Sequence, residues 1–96
     1  MSPKNKKKLD ILRKKLDKLD NRLLNIIQIR SEIIKKVLLI KTHKNEIVDK
    51  KRISYILKKI KKTSIKKKID PLVTNAIWKS MISAYIDFEK RNFKKK

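Results

Sequence analysis

Residues 9–43 read LDILRKKLDKLDNRLLNIIQIRSEIIKKVLLIKTH. Apolar side chains recur at Leu9, Leu12, Leu16, Leu19, Leu23 and Ile26, then at Ile33, Val37 and Ile40. Steps of three and four make the heptad seam of one long helix, and neither Pro nor Gly interrupts it. At about 1.5 Å per residue such a helix spans roughly 52 Å. A compact monomer of 96 residues has a radius of gyration of only about 12–13 Å. The helix outruns any globule that this chain can build, so its apolar stripe needs a partner. A second copy of the chain is the simplest source, which predicts a homodimer with the long helices packed together.

Working outward, residues 42–48 read as a connection. Asp49 is placed to cap a second helix carrying Ile53, Ile56, Leu57 and Ile60, which should fade in the lysine-rich run 61–68. Asp70-Pro71 is a start signal, a cap residue followed by Pro at the first helical position. The third helix carries Val73, Ile77, Met81, Ala84 and Phe88 on one stripe, with Trp78 and Tyr85 beside it, and ends near Phe93. The expected fold is all-α: a three-helix chain (long, short, medium) forming an intertwined helical homodimer. Residues 1–96 form a single domain, with 1–8 and 94–96 as frayed basic tails.

Composition narrows the chemistry. The chain has no Cys and no Gly, which excludes a disulfide scaffold, a thiolate zinc site, a cysteine nucleophile and a glycine-rich phosphate loop. No run of about 18 apolar residues is present, so no membrane span is expected. The basic start, residues 1–8, leads into no apolar signal-peptide core, and a soluble cytoplasmic protein is expected. The 30 Lys and Arg against 9 Asp and Glu give a formal charge of +21. That charge invites a nucleic-acid reading. Richness in Lys, Ile and Asn, all with A/T-rich codons, is a blander cause. Four of the five aromatics lie on the third helix at core spacing, which argues against a stacking platform there.

Against this background the five arginines, Arg13, Arg22, Arg30, Arg52 and Arg91, carry more information than the lysines. A guanidinium grips a carboxylate in a two-pronged fork that an ammonium cannot copy. Arg30 occupies the heptad position between Ile26 and Ile33, where an apolar residue belongs. It must find an anion there, either an acid of the partner such as Glu32 or Asp20, or a ligand. Lys41, eleven residues on, shares its face at roughly 16 Å. Arg13 lies roughly 25 Å back and about 100° round the axis, so only an antiparallel partner could bring it to the same pocket. Arg52 sits at the apolar edge of the second helix, with Asp49 three residues earlier to orient it or simply to cap the helix. Individually Lys41 reads as an end-of-helix cation, Arg13 as a surface residue, Tyr85 and Trp78 as core, and Glu89 as exposed. Collectively, cations converging on a helical interior without nucleophile or metal ligands suit a small dianion.

At these residues the chain resembles the all-helical class of chorismate mutases, over roughly residues 9–93. That class opens with Leu-x-x-Leu-Arg-x-x-(Leu/Ile)-Asp-x-(Leu/Ile)-Asp, matched by Leu9 to Asp20 with Arg13 as its arginine. Its second arginine after an apolar stretch matches Arg30, its lysine three turns later matches Lys41, and its Asp-x-x-Arg matches Asp49 and Arg52. The resemblance implies an intertwined dimer in which each site borrows one arginine across the interface. It implies no cofactor and no metal, and a small dicarboxylate substrate. Arg30 and Arg13 of the partner subunit would clamp the carboxylates, and Lys41 would contact a carboxylate or the ether oxygen. Arg52 would complete the cationic wall, and Asp49 would position the hydroxyl. Three positions depart from the class: Ile53 replaces a Glu, Tyr85 a Ser, and Glu89 the Gln that donates to the breaking ether bond. To donate there Glu89 must carry its proton, so activity rising toward acidic pH is the expected signature. Ile53 and the Tyr85-Ile86 pair are similar to isochorismate-pyruvate lyases, relatives on the same fold. Chorismate mutase is the expectation; the lyase, a basic nucleic-acid-binding helix protein and a purely structural coiled-coil dimer are the alternatives.

Overall fold

The computed structural model describes residues 1–94; Lys95 and Lys96, the end of the expected frayed tail, lie outside the described residues. Three α-helices follow one another: α1, Pro3–Ile40; α2, Lys50–Lys66; and α3, Pro71–Asn92. A single 3₁₀ turn, Lys44–Glu46, separates α1 from α2, and no strand occurs among the described residues. The fold is all-α, in the long, short, medium order that the apolar spacing predicts. The chain divides into two compact units, Met1–Ile34 and Lys35–Lys96.

In the first unit α1 starts at Pro3, six residues before the periodic stretch and inside the tail expected to fray. The cause is local. The Ser2 hydroxyl accepts the Asn5 amide at 3.2 Å, and the Ser2 carbonyl accepts the Lys6 amide at 2.9 Å. Pro3 then fills the first helical position, where its missing N–H costs nothing. Along this helix the seam residues Leu12, Leu16, Leu19, Leu23, Ile26 and Ile33 are between 52% and 60% exposed. Within one chain the stripe that decides the fold is uncovered.

The second unit holds the last turn of α1, the 3₁₀ turn, α2 and α3. Helix α1 ends at Ile40, where the Lys41 amide bonds back to the Leu38 carbonyl at 3.3 Å in a tightened last turn. Leu38 and Ile47 are the buried hydrophobic residues here. Helices α2 and α3 pack against each other. Helix α2 offers Ile53, Ile56, Leu57 and Ile60, all half-buried, and α3 offers Trp78, Met81, Ile82, Tyr85 and Phe88. The inward face of α3 is therefore rotated from the stripe expected, since Val73 and Ile77 are 52% and 51% exposed. Buried Thr74 and Glu89 lie on that inward face instead.

A buried polar contact joins the two helices. The Ser64 hydroxyl donates to the Ile60 carbonyl at 2.6 Å and meets the Thr74 hydroxyl at 2.7 Å. The Thr74 hydroxyl also lies 3.3 Å from the Pro71 carbonyl, so each hydroxyl has a carbonyl to donate to, and either can be the donor between them. Neither residue stood out by chemistry, although Ser64 falls four residues after Ile60 and Thr74 four before Trp78. Continuing the apolar spacing through polar letters would have found both.

Helix α2 runs through most of the lysine-rich stretch in which it was expected to fade. It ends in a Schellman motif: the Lys68 amide bonds the Ile65 carbonyl at 3.1 Å, and the Ile69 amide the Ser64 carbonyl at 2.9 Å. Lys68 takes the left-handed conformation at φ 58°, the position glycine ordinarily fills in a chain that has none. The Cβ penalty there is about 1 kcal/mol. Lys68→Gly should raise stability by about 0.5–1 kcal/mol, visible in thermal unfolding as an increase of several degrees in Tm.

Candidate functional site

The turn after α1 is built around one carboxylate oxygen. Glu46 Oε1 accepts the Thr42 hydroxyl at 2.8 Å, the His43 amide at 2.8 Å and the Thr42 amide at 3.1 Å. The Glu46 amide in turn bonds the His43 carbonyl at 3.1 Å. The side chain thus satisfies donors that the end of one helix and the start of the next turn leave open. These donors, the Thr42 hydroxyl foremost and the His43 amide next, hold the Glu46 carboxyl below its ordinary range. His43, to which the sequence assigned nothing, acts through its backbone.

This turn delivers Lys41 and Asp49 to the same shallow cleft, whose other lining residues are Glu46, Val48, Lys50 and Lys51. Asp49 caps α2: its Oδ1 accepts the Arg52 amide at 3.0 Å. The carboxylate expected to orient the Arg52 side chain is thus held by the Arg52 backbone. The guanidinium lies elsewhere, 5.2 Å from the centroid of the Tyr55 ring, where the ring quadrupole attracts it. Asp49 and Arg52 are both exposed, and Ile53 beside them is half-buried.

On α3, Tyr85 is half-buried and meets Phe88 edge to face at 6.4 Å. Glu89, expected by default to face solvent, is buried with 7% exposure. Its Oε1 accepts a hydrogen bond from Lys41 Nζ at 3.1 Å. Two candidate residues 48 positions apart are thus brought into direct contact. Lys41 reads as more than a solvated helix-end cation, because its side chain is largely covered and has an anion to meet. Of the first unit's arginines, the two candidate site residues differ in burial: Arg13 is exposed and Arg30 is half-buried on α1.

Two outcomes follow from these contacts. Lys41→Met leaves the Glu89 carboxylate without its cation. It should destabilise the chain by about 2–3 kcal/mol, less than a fully buried pair costs when broken, because Lys41 keeps some solvent contact. Adding Glu89→Met should restore much of that loss, and denaturant unfolding of the double-mutant cycle measures it. In the turn, Thr42→Val should move the Glu46 titration up toward the ordinary carboxylate value, read by carboxyl-carbon NMR. Because the folded-state value is depressed, the stabilisation from Glu46 is full above the ordinary value. It is lost as pH falls through the lowered one.

No curated protein and no solved structure gives a significant match. The family model described as chorismate mutase type II matches residues 12–90, which takes in the greater part of α1, all of α2 and α3 to within two residues of its end. The chain belongs to the chorismate mutase type II family.

Proposed function

We propose that this protein is a cytoplasmic homodimeric chorismate mutase, converting chorismate to prephenate. The observation that carries the reading is the 3.1 Å contact of Lys41 and Glu89. It joins Glu89, at the position that the family resemblance gives to the ether-oxygen donor, with Lys41, which the resemblance puts on a carboxylate or on that oxygen. The rearrangement is intramolecular, so it asks for no nucleophile and no metal. It asks for a compact, reactive substrate conformer and for cations or donors where negative charge develops on the ether oxygen. Lys41 supplies the ammonium. Glu89 orients that ammonium when ionised and is itself a donor when protonated. Arg30 and the partner subunit's Arg13 hold the substrate carboxylates, and Arg52 reinforces them on leaving the Tyr55 ring. Asp49 positions the ring hydroxyl, and Tyr85 and Ile53 form apolar walls.

The dimer in this proposal is supported by the uncovered seam of α1. Burying a Leu or Ile side chain contributes about 1.5–3 kcal/mol, and the first unit leaves at least six of them half-exposed or more. A stripe of that length on a single helix matches a second copy of itself.

One observation favours the lyase as a second reading. Ile53, half-buried at the start of α2, puts an apolar side chain where the family resemblance places a glutamate toward the ring hydroxyl. A site without that contact has less reason to prefer chorismate over its hydroxyl-shifted isomer. Isochorismate would then be cleaved to salicylate and pyruvate in the same pocket.

Both readings are tested by giving the purified protein chorismate and isochorismate separately and following prephenate against salicylate plus pyruvate. Prephenate formation supports the mutase, salicylate with pyruvate supports the lyase, and neither product from either substrate overturns the proposal. Arg30→Ala should lower turnover at least about 100-fold, with the sedimentation mass still twice the 11.5 kDa of one chain. Near-normal turnover in that variant removes Arg30 from the site.

A further inference from the structure

The outer face of α2 has a character that neither the fold nor the proposed reaction uses. Successive residues on it are Lys51, Tyr55, Lys58, Lys59, Lys62 and Lys66, all exposed. Steps of three and four, with Lys58 and Lys59 adjacent, keep them on one side of the helix, opposite the Ile53, Ile56, Ile60 and Ser64 face that meets α3. Between Asp49 and Asp70 the chain has no acidic residue. Abundant lysine alone does not account for this. On α1 the lysines are interleaved with Asp10, Asp17, Asp20 and Glu32, which relieve their repulsion at helical spacing. On α2 the like-charge steps Lys58–Lys62 and Lys62–Lys66 stand unrelieved, and each opposes the helix.

In the middle of this face stands Tyr55, 53% exposed. It is the aromatic that the core on α3 does not contain. Its ring has the Arg52 guanidinium at 5.2 Å and the Lys59 ammonium at 5.9 Å from its centroid. Both cations lie over the ring, so a base that stacks there displaces one of them, and the displaced cation is then free to meet a neighbouring phosphate. From Lys51 to Lys66 the strip runs roughly 22 Å, enough for about six stacked nucleotides at about 3.4 Å each. Apolar surface on this side is confined to Tyr55 and Ile65, too little to enter a bilayer in the manner of an amphipathic membrane helix.

We propose that the outer face of α2 binds single-stranded nucleic acid, with Tyr55 stacking on a base and Lys58, Lys62 and Lys66 neutralising the backbone. The three lysines and Tyr55 named here have no role in the proposed reaction, although the face adjoins the Lys41–Asp49 cleft at Lys51. A protein of charge +21 attracts any polyanion, so the claim is about where the strand sits.

The test is fluorescence anisotropy of the full chain with a labelled oligouridylate of about 20 nucleotides, over a range of salt concentrations. Replacing Lys58, Lys62 and Lys66 together by Ala should flatten the slope of log affinity against log salt by about 2, since each single-strand phosphate contact contributes about 0.7. Tyr55→Ala should weaken binding about tenfold and leave the slope unchanged, because stacking is lost and no charge is removed. The comparison variant replaces Lys14, Lys15 and Lys18 on α1 by Ala, removing the same charge. An equal loss in this variant overturns the proposal, as does a Tyr55→Ala variant that binds as the parent does. Vesicles of phosphatidylcholine with phosphatidylserine form the other arm. Vesicle binding that needs Tyr55 and these three lysines, without oligonucleotide binding, assigns the face to a membrane and overturns it too. Circular dichroism of each variant, with helicity equal to the parent, keeps a loss of binding separate from a loss of fold.

Discussion

The second unit is organised by an ammonium and a carboxylate that meet out of reach of most solvent. Lys41 is the first residue beyond α1, and Glu89 lies in the last turn of α3. Their contact closes a stretch of chain that contains the 3₁₀ turn, α2 and the α2–α3 connection. Burying either charge alone costs several kcal/mol, so each makes the other's position necessary. The turn that follows Lys41 is fixed by Glu46, and the start of α2 by Asp49. Three acidic side chains, in a chain that has only nine, therefore fix where Lys41 and α2 begin.

Hydrophobic burial has a smaller share in one copy of the chain than its composition suggests. Apolar residues make up 40% of the sequence, yet Leu38 and Ile47 are its buried hydrophobic residues among those described. A small domain buries a modest fraction of its surface in any case. Here much of the apolar surface lies along α1, where the chain cannot fold back to cover it.

Much of this was legible from the letters. Steps of three and four gave the long helix and its seam, and Asp49 and Asp70-Pro71 marked the starts of the next two helices. Helix ends were harder to read. Ser2 and Pro3 extend α1 upstream because a cap can start a helix before its apolar pattern begins. Lys68 ends α2 in a conformation whose usual marker, glycine, is missing from the chain. The ordered set Arg13, Arg30, Lys41, Asp49, Arg52 pointed to the family that the comparison identifies. The meeting of Lys41 with Glu89 could not be read, because it depends on how α3 is rotated about its own axis. That rotation is set by Thr74 and Trp78 turning inward in place of Val73 and Ile77. The stacking of Arg52 on Tyr55 was hidden for a similar reason: nearness in sequence offered both Asp49 and Tyr55, and the α2 backbone had already claimed Asp49.

The paired hydroxyls of Ser64 and Thr74 carry an evolutionary consequence. Losing one leaves the other's polar group buried with a bond fewer, whereas exchanging both for apolar side chains of like shape is nearly neutral. Drift at these two places is therefore correlated, and the permitted route passes through an intermediate of reduced fitness or through a simultaneous double change. Among diverging descendants of this chain, hydroxyl should answer hydroxyl and methyl should answer methyl across the gap from position 64 to position 74.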